Sequence, residues 1–176
     1  MGVLNRILKR PLAAVVSLCL LFGFFGSAVS AEKTISKSFE VKITDDLYKD
    51  AQLAKKKRVP LVVLFSQDGC AYCIFVRENF LKPMLISGDY ENKAVIRELK
   101  VDSFEDVRNF DGKMIAADEL STFYRAFVTP TVIVLDSNGK AHYRMIGMAN
   151  EHYYSDELDT AIDETYGNIH RVAANQ

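Results

Sequence analysis

The 176-residue chain has the length of one domain, and its composition, 49% hydrophobic and 26% charged, suits a globular protein with a core of its own. Its formal net charge of −1 gives no electrostatic reason to expect nucleic acid as a partner. The first residues read as a targeting segment. Arg6, Lys9 and Arg10 stand without an acid, an apolar run follows from Pro11 to Phe25, and the small residues "GSAVSA" come next. Val29 and Ala31 occupy the −3 and −1 positions of a cleavage site after Ala31, so residues 1–31 are expected to be a secretory signal peptide. A single membrane anchor is the alternative reading, for which the apolar run is short, and an uncleaved signal is another. Cys19 lies within that run, and Leu18 stands where a lipoprotein signal needs a small residue. Removal of residues 1–31 leaves 145 residues, 19 basic charges against 23 acidic, and two cysteines, Cys70 and Cys73. The protein is then expected in the periplasm, an oxidising compartment.

Residues 32–44 form a polar lead-in that ends in "SFEVKI" (38–43), which alternates as a short edge strand. "DDLYKDAQLAKKKR" (45–58) predicts a helix with Leu47, Tyr48, Ala51 and Ala54 on one face and a basic end that suits its C-terminus. "PLVVLFS" (60–66) is a continuous apolar run and reads as a buried central strand. The CxxC follows at once, and a helical pattern continues through Cys73, Val76 and Phe80 until Pro83 ends or kinks it. "AVIRELKVD" (94–102) alternates as a strand, and residues 103–116 are irregular, with an Asp111-Gly112 turn signal that closes a small hairpin. "ADELSTFYRAF" (117–127) predicts a helix buried through Leu120, Phe123, Tyr124 and Phe127. "TVIVLDS" (131–137), the turn "SNGK" and "AHYRMIGM" (141–148) form a hairpin. Ser155 caps a last helix with Leu158, Ala161, Ile162 and Tyr166 on its face and Gly167 beyond its end. The order is that of one α/β domain over 45–170 with a central mixed sheet, followed by a tail at 171–176.

The two cysteines in "DGCAYC" (68–73) admit three kinds of role. A zinc site needs four ligands as a rule, and His142, His152 and His170 stand in no ligand-like spacing, so no metal and no cofactor is expected. A purely structural disulfide across so short a loop removes little chain entropy. Redox exchange suits the setting better. A cysteine between a buried strand and a helix meets free N–H groups that favour its thiolate, the attacking species in disulfide exchange, and a second thiol one turn later can resolve the mixed disulfide. "VTPT" (128–131) adds a proline at a strand entrance, where it removes a ladder hydrogen bond. A cis Thr129–Pro130 bond resolves this, bringing Pro130 against the sulfurs and leaving the backbone of Thr129 to a substrate strand; an ordinary trans proline opening the strand is the alternative.

With "LVVLFSQDGCAYC", "FVTPTVIVLDSNGK" and "MIG" in this order, the chain resembles the thioredoxin superfamily over roughly residues 45–166. It looks most like the exported thioredoxin-related proteins, including the SoxW-like group, which share the C-x-Y-C motif, an "FDGK" loop and Thr-Pro before the strand. The resemblance implies a thioredoxin-like fold, Cys70 as nucleophile, Cys73 as resolving thiol and Pro130 as the cis-proline. Ala71, Tyr72 and Thr129 become the residues expected to meet the substrate. Two departures stand out: Gly69 replaces the Trp before the first cysteine, and Leu64 replaces the buried Asp six residues before it. Asp68 reads as a solvated loop acid whose charge opposes a thiolate at Cys70, and Glu78 and Asp102 are further acids that could lie near.

Tyr72 supplies none of the positive charge that His gives the oxidising DsbA-type proteins, and the separation of 57 positions from Cys73 to Pro130 is too short for their helical insertion. Residues 32–44 cannot form the dimerisation domain of DsbC-type isomerases, and Gly147 stands without the second glycine of glutaredoxins. The expected activity is therefore thiol-disulfide exchange, mainly as a disulfide reductase and as a monomer. The partners implied are disulfide-containing client proteins and a membrane electron donor of the DsbD or CcdA kind. A thioredoxin-fold peptide-binding or chaperone module, which binds a strand by augmentation, and a disulfide oxidase are the alternatives. The intact mass of the exported protein should correspond to a chain beginning at Glu32; a mass that retains Met1 to Ala31 would replace the soluble protein by an anchored one.

Overall fold

The computed structural model describes residues 39–148 and 150–174, so the proposed signal segment and Cys19 lie outside the described residues. Five strands form the main sheet: β1 (Lys42–Ile43), β2 (Leu61–Ser66), β3 (Val95–Lys100), β6 (Thr131–Leu135) and β7 (Ala141–Ile146). Their order is β1-β3-β2-β6-β7, with β1, β3 and β2 parallel and β6 and β7 antiparallel to their neighbours. The expected α/β architecture, a central mixed sheet flanked by helices, is the one found. β2 lies at its centre, and all six of its residues are buried. It sends Val62 and Leu64 to one face and Leu61, Val63 and Phe65 to the other. Neither side of such a strand can face water, which is why its sequence is continuously apolar.

On the first face, α2 (Ala71–Val76), α3 (Lys82–Ser87) and α5 (Glu151–Ala174) contribute Val76, Met84, Leu158, Ala161 and Ile162. On the second, α1 (Leu47–Lys57) and α4 (Ala117–Phe123) contribute Leu47, Ala54, Ala117 and Leu120. Asp46 caps α1 by accepting the Lys49 N–H at 2.8 Å, and Arg58 closes it in the left-handed region at φ 59°. The small hairpin expected around Asp111-Gly112 is present as β4 (Val107–Arg108) and β5 (Met114–Ile115). Its turn is held by Asn109 Oδ1, which accepts the N–H groups of Asp111 and Lys113.

Four expectations need correction. β1 covers only two residues of the predicted 38–43 strand, the stretch that pairs with Arg97 and Glu98 of β3. Pro83 does not end the helix after the CxxC. A widened π-helical turn over Arg77–Leu81 precedes it, the Lys82 N–H reaches back to the Arg77 carbonyl, and α3 then runs on to Ser87. α4 stops at Phe123 because Arg125 turns left-handed at φ 54°, its N–H bonding the Thr122 carbonyl while the Ala126 N–H bonds that of Ser121. Phe123 and Phe127 are consequently exposed. α5 begins at Glu151, where Asn150 Oδ1 accepts the His152 N–H, and it continues through Gly167 to Ala174. Stacking of Tyr166 on His170, with His170 Nε2 at 3.1 Å from the Arg58 carbonyl, holds the turn that the glycine weakens.

The loop that enters β6 is anchored from behind by Tyr124. Its hydroxyl donates to the Gly139 carbonyl at 2.8 Å, its own carbonyl accepts from Arg144 at 2.7 Å, and burial pushes its phenol pKa up. Gly139 has φ +79°, and a Cβ there would meet Phe110 at 2.6 Å and the Tyr124 hydroxyl at 2.9 Å. Gly139→Ala should therefore cost about 1–3 kcal/mol, combining a left-handed residue with overpacking. Urea denaturation measures it; an unchanged midpoint would mean that the aromatic pair gives way freely.

Candidate functional site

β2 ends at Ser66, and residues 67–69 carry the chain to Cys70 at the head of α2. Gly69 turns there with φ +70°, a conformation that the Trp of thioredoxins would adopt only with strain. Asp68 pins the loop to β3: its N–H donates to Asp102 at 2.9 Å, and its exposed carboxylate lies 3.1 Å from Lys100. Asp68 is thus the solvated loop acid expected, and Asp102 holds the backbone before the motif.

Cys70 and Cys73 are joined as a disulfide with Cα atoms 5.2 Å apart. Cys70 is the N-cap residue of α2, and its sulfur accepts the Cys73 N–H at 3.1 Å. The two sulfurs differ in access. Cys70 is half-buried, whereas Cys73 is 1% exposed and faces the core with Val76. Between them Ala71 and Tyr72 are exposed, Tyr72 at 65%.

The Thr129–Pro130 bond is cis. The pairing of Phe65 with Thr131 places this dipeptide at the end of the sheet from which β2 delivers the cysteines. Pro130 is buried and Thr129 half-buried. The Val128 carbonyl accepts the Thr131 hydroxyl at 2.6 Å, and the Pro130 carbonyl accepts the Gly147 N–H at 2.8 Å. These bonds fix the residues on either side of Thr129. Phe127, Val128 and Ile146, the last opposite Thr131, are exposed apolar side chains at this end of the sheet.

The acid that sequence reading did not single out is Glu98. It is fully buried on β3, opposite Leu64 of β2, and so lies on the sheet face covered by α2. The Ser66 hydroxyl donates to it at 2.6 Å, Arg77 Nη1 donates to both its oxygens at 3.1 and 3.2 Å, and Lys100 lies 3.3 Å away. Glu78 instead sits half-exposed between Arg77 and Lys82, whose hydrogen bonds lower its pKa. The alternation of "AVIRELKVD" carried the missing signal: Arg97 stands between Val95 and Leu99 on one face, and Glu98 follows Ala94 and Ile96 on the other. Arg97, on the opposite face, pairs with buried Asp50 at 2.7 Å. Among the described residues no group of His, Cys, Asp and Glu is arranged to hold a metal ion.

This geometry can carry out disulfide exchange at a partly exposed helix-capping cysteine with a second, buried sulfur three residues on. A family model described as a thioredoxin-like domain matches residues 47–162. Mitochondrial thioredoxin 3 of Saccharomyces cerevisiae, solved in its oxidised form, is 17% identical with a TM-score of 0.48, over 70% of this chain and 94% of that one. Thioredoxin of Fasciola hepatica is 17% identical with a TM-score of 0.46, over 70% and 98%. No curated protein matches the chain. Because the family match spans most of the sequence, with β2, both cysteines and Pro130 inside it, the chain belongs to the thioredoxin-like domain family.

Proposed function

We propose that the protein is an exported thiol-disulfide oxidoreductase that works mainly as a disulfide reductase. The observation that carries this reading is the unequal access of two bonded sulfurs: Cys70 caps a helix at the surface, and Cys73 is sealed behind it. In the reduced protein the Cys70 thiolate attacks one sulfur of a client disulfide, and the other client sulfur leaves as a thiolate and takes a proton. Cys73, having given up its proton, then attacks Cys70 Sγ and expels the first client sulfur. The Cys70–Cys73 disulfide remains, and two electrons have passed to the client. We assign the client segment to the backbone of half-buried Thr129, where it pairs as an extended strand, with Ala71, Tyr72 and Pro130 as its further contacts.

An oxidised product in an oxidising compartment must be reduced again. We assign that step to a membrane dithiol donor of the DsbD or CcdA type, and the site of action to the periplasm, following the signal-like residues 1–31. The reduction direction is supported by Tyr72, an uncharged residue where an oxidase places a cation beside the thiolate. The SoxW-like resemblance is part of the same reading.

Reduced protein should accelerate insulin disulfide reduction in the presence of dithiothreitol. Cys73→Ser should accumulate mixed disulfides through Cys70, and Cys70→Ser should accumulate almost none. Non-reducing gels with mass spectrometry read both. Equal trapping by the two variants would reverse or remove the assigned roles. Client-peptide binding without any insulin reduction would favour the peptide-binding or chaperone reading.

A further inference from the structure

The exchange steps above make no use of the end of the domain away from the cysteines. β2 starts there at Leu61, opposite Leu135 of β6, and runs toward Cys70 from that end. The last turn of α1, the turn after β6 and the final turns of α5 enclose a cleft of about 220 Å³. Val59, Ile169, Val172 and Ala173 give it apolar walls, and Lys55 and Arg58 stand among them. Ile169, Val172 and Ala173 are spaced three and four apart, so they share one face of α5, in the part of the helix that runs on past Gly167. His170 Nε2, 3.1 Å from the Arg58 carbonyl, ties that part of α5 to the end of α1.

No acid lines the cleft among the described residues, so its two cations are not neutralised within it. Asp136, next in sequence to the lining residue Ser137, is engaged with its own loop: it accepts the Asn138 and Lys140 N–H groups and meets His142 at 3.0 Å. A basic last turn is by itself explained by the carbonyls at the end of α1. That explanation asks only for charge near the helix end, which Lys55, Lys56 and Lys57 already supply. It does not ask for Arg58, which holds the left-handed closing position at φ 59°, where glycine would carry no Cβ penalty. An arginine is thus kept there at a conformational cost, and it lines the cleft.

We propose that this cleft is a binding site for an anionic amphiphile, a carboxylate or phosphate head carried on an alkyl chain. Arg58 offers the fork of N–H donors that two oxygens of such a head accept from, and Lys55 adds a point charge. The chain leaves water along Val59, Ile169 and Val172, the last of which is 60% exposed while the cleft is empty. A free fatty acid and a membrane phospholipid share this chemistry. The site lies at the opposite end of β2 from the cysteines and does not depend on the oxidoreductase reading.

The test titrates octanoate into the full mature protein by calorimetry, with acetate as the head without the chain and octanol as the chain without the charge. Octanoate should bind saturably at a single site, and both controls should bind more weakly. Arg58→Gly and Lys55→Gln should each weaken octanoate about fivefold, the loss of one cation facing an anionic head. Arg58→Gly also relieves the left-handed residue, so its urea midpoint should hold or rise while its affinity falls. A purely structural arginine would give a lower midpoint with unchanged octanoate affinity, and that result overturns the proposal. Uptake without saturation, or octanol binding as tightly as octanoate, overturns it as well. Co-sedimentation with phosphatidylglycerol vesicles, against phosphatidylcholine vesicles, separates the sources. Retention on the former that Arg58→Gly loses assigns the site to a membrane lipid; octanoate binding without such retention assigns it to a free fatty acid. If Arg58→Gly does not fold, Lys55→Gln decides alone, since that side chain is exposed.

Discussion

The structure depends on β2 being buried on both faces and hydrogen-bonded along both edges. Six consecutive residues without exposure can be satisfied only if strands lie on either side and helices lie above and below. Each Val, Leu or Phe so buried contributes about 1.5–3 kcal/mol. The last residue of β2, Ser66, stands four positions before Cys70. Cys70 is thus held just beyond the end of a strand buried on both faces. β6, bonded along the other edge of β2, carries the Thr129–Pro130 entrance to the same end of the sheet.

The neighbouring strand β3 shows how the interior handles charge. Arg97 and Glu98 are adjacent in sequence, point to opposite faces and find opposite partners, Asp50 of α1 and Arg77 beyond α2. The first pair ties α1 to the sheet. The second ties the redox helix to it, one turn from the buried sulfur. Removal of Arg97 would strand the buried Asp50 carboxylate without its cation, a loss of about 3–5 kcal/mol, whereas Glu98 keeps Lys100 and Arg77 keeps Glu78 when the other is removed. Leu64, which the thioredoxin resemblance sets where a buried acid is expected, pairs with Glu98, so this region still holds a carboxylate. The acid comes from the adjacent strand and arrives already paired.

Much of this was legible in the residues. The apolar run 60–66, the CxxC between strand and helix, and "VTPT" before the next strand identify the site, because each rests on local chemistry that the fold has no freedom to alter. The less legible parts depend on tertiary contacts. Pro83 reads as a stop or a kink; a widened turn precedes it and the helix runs on to Ser87. Ser155 and Gly167 read as the ends of a helix that Asn150 begins earlier and that His170 carries further. Phe123 and Phe127 have helical spacing for burial, but α4 buries Ala117, Leu120 and Ser121 instead, the chain turns left-handed at Arg125, and both rings are exposed. Glu98 was hidden for a related reason: alternation marks a strand, but a charge at a buried position declares itself only when its partners, 21 and 32 residues away, are in place.

The proposed reductase role requires the Cys70–Cys73 dithiol to give electrons rather than take them. The measurement that tests it most directly is the reduction potential of the Cys70–Cys73 couple. Equilibration against a dithiothreitol or glutathione series should place it near the thioredoxin value of about −270 mV, and a value near the DsbA level of about −120 mV would contradict the account and make the protein an oxidase.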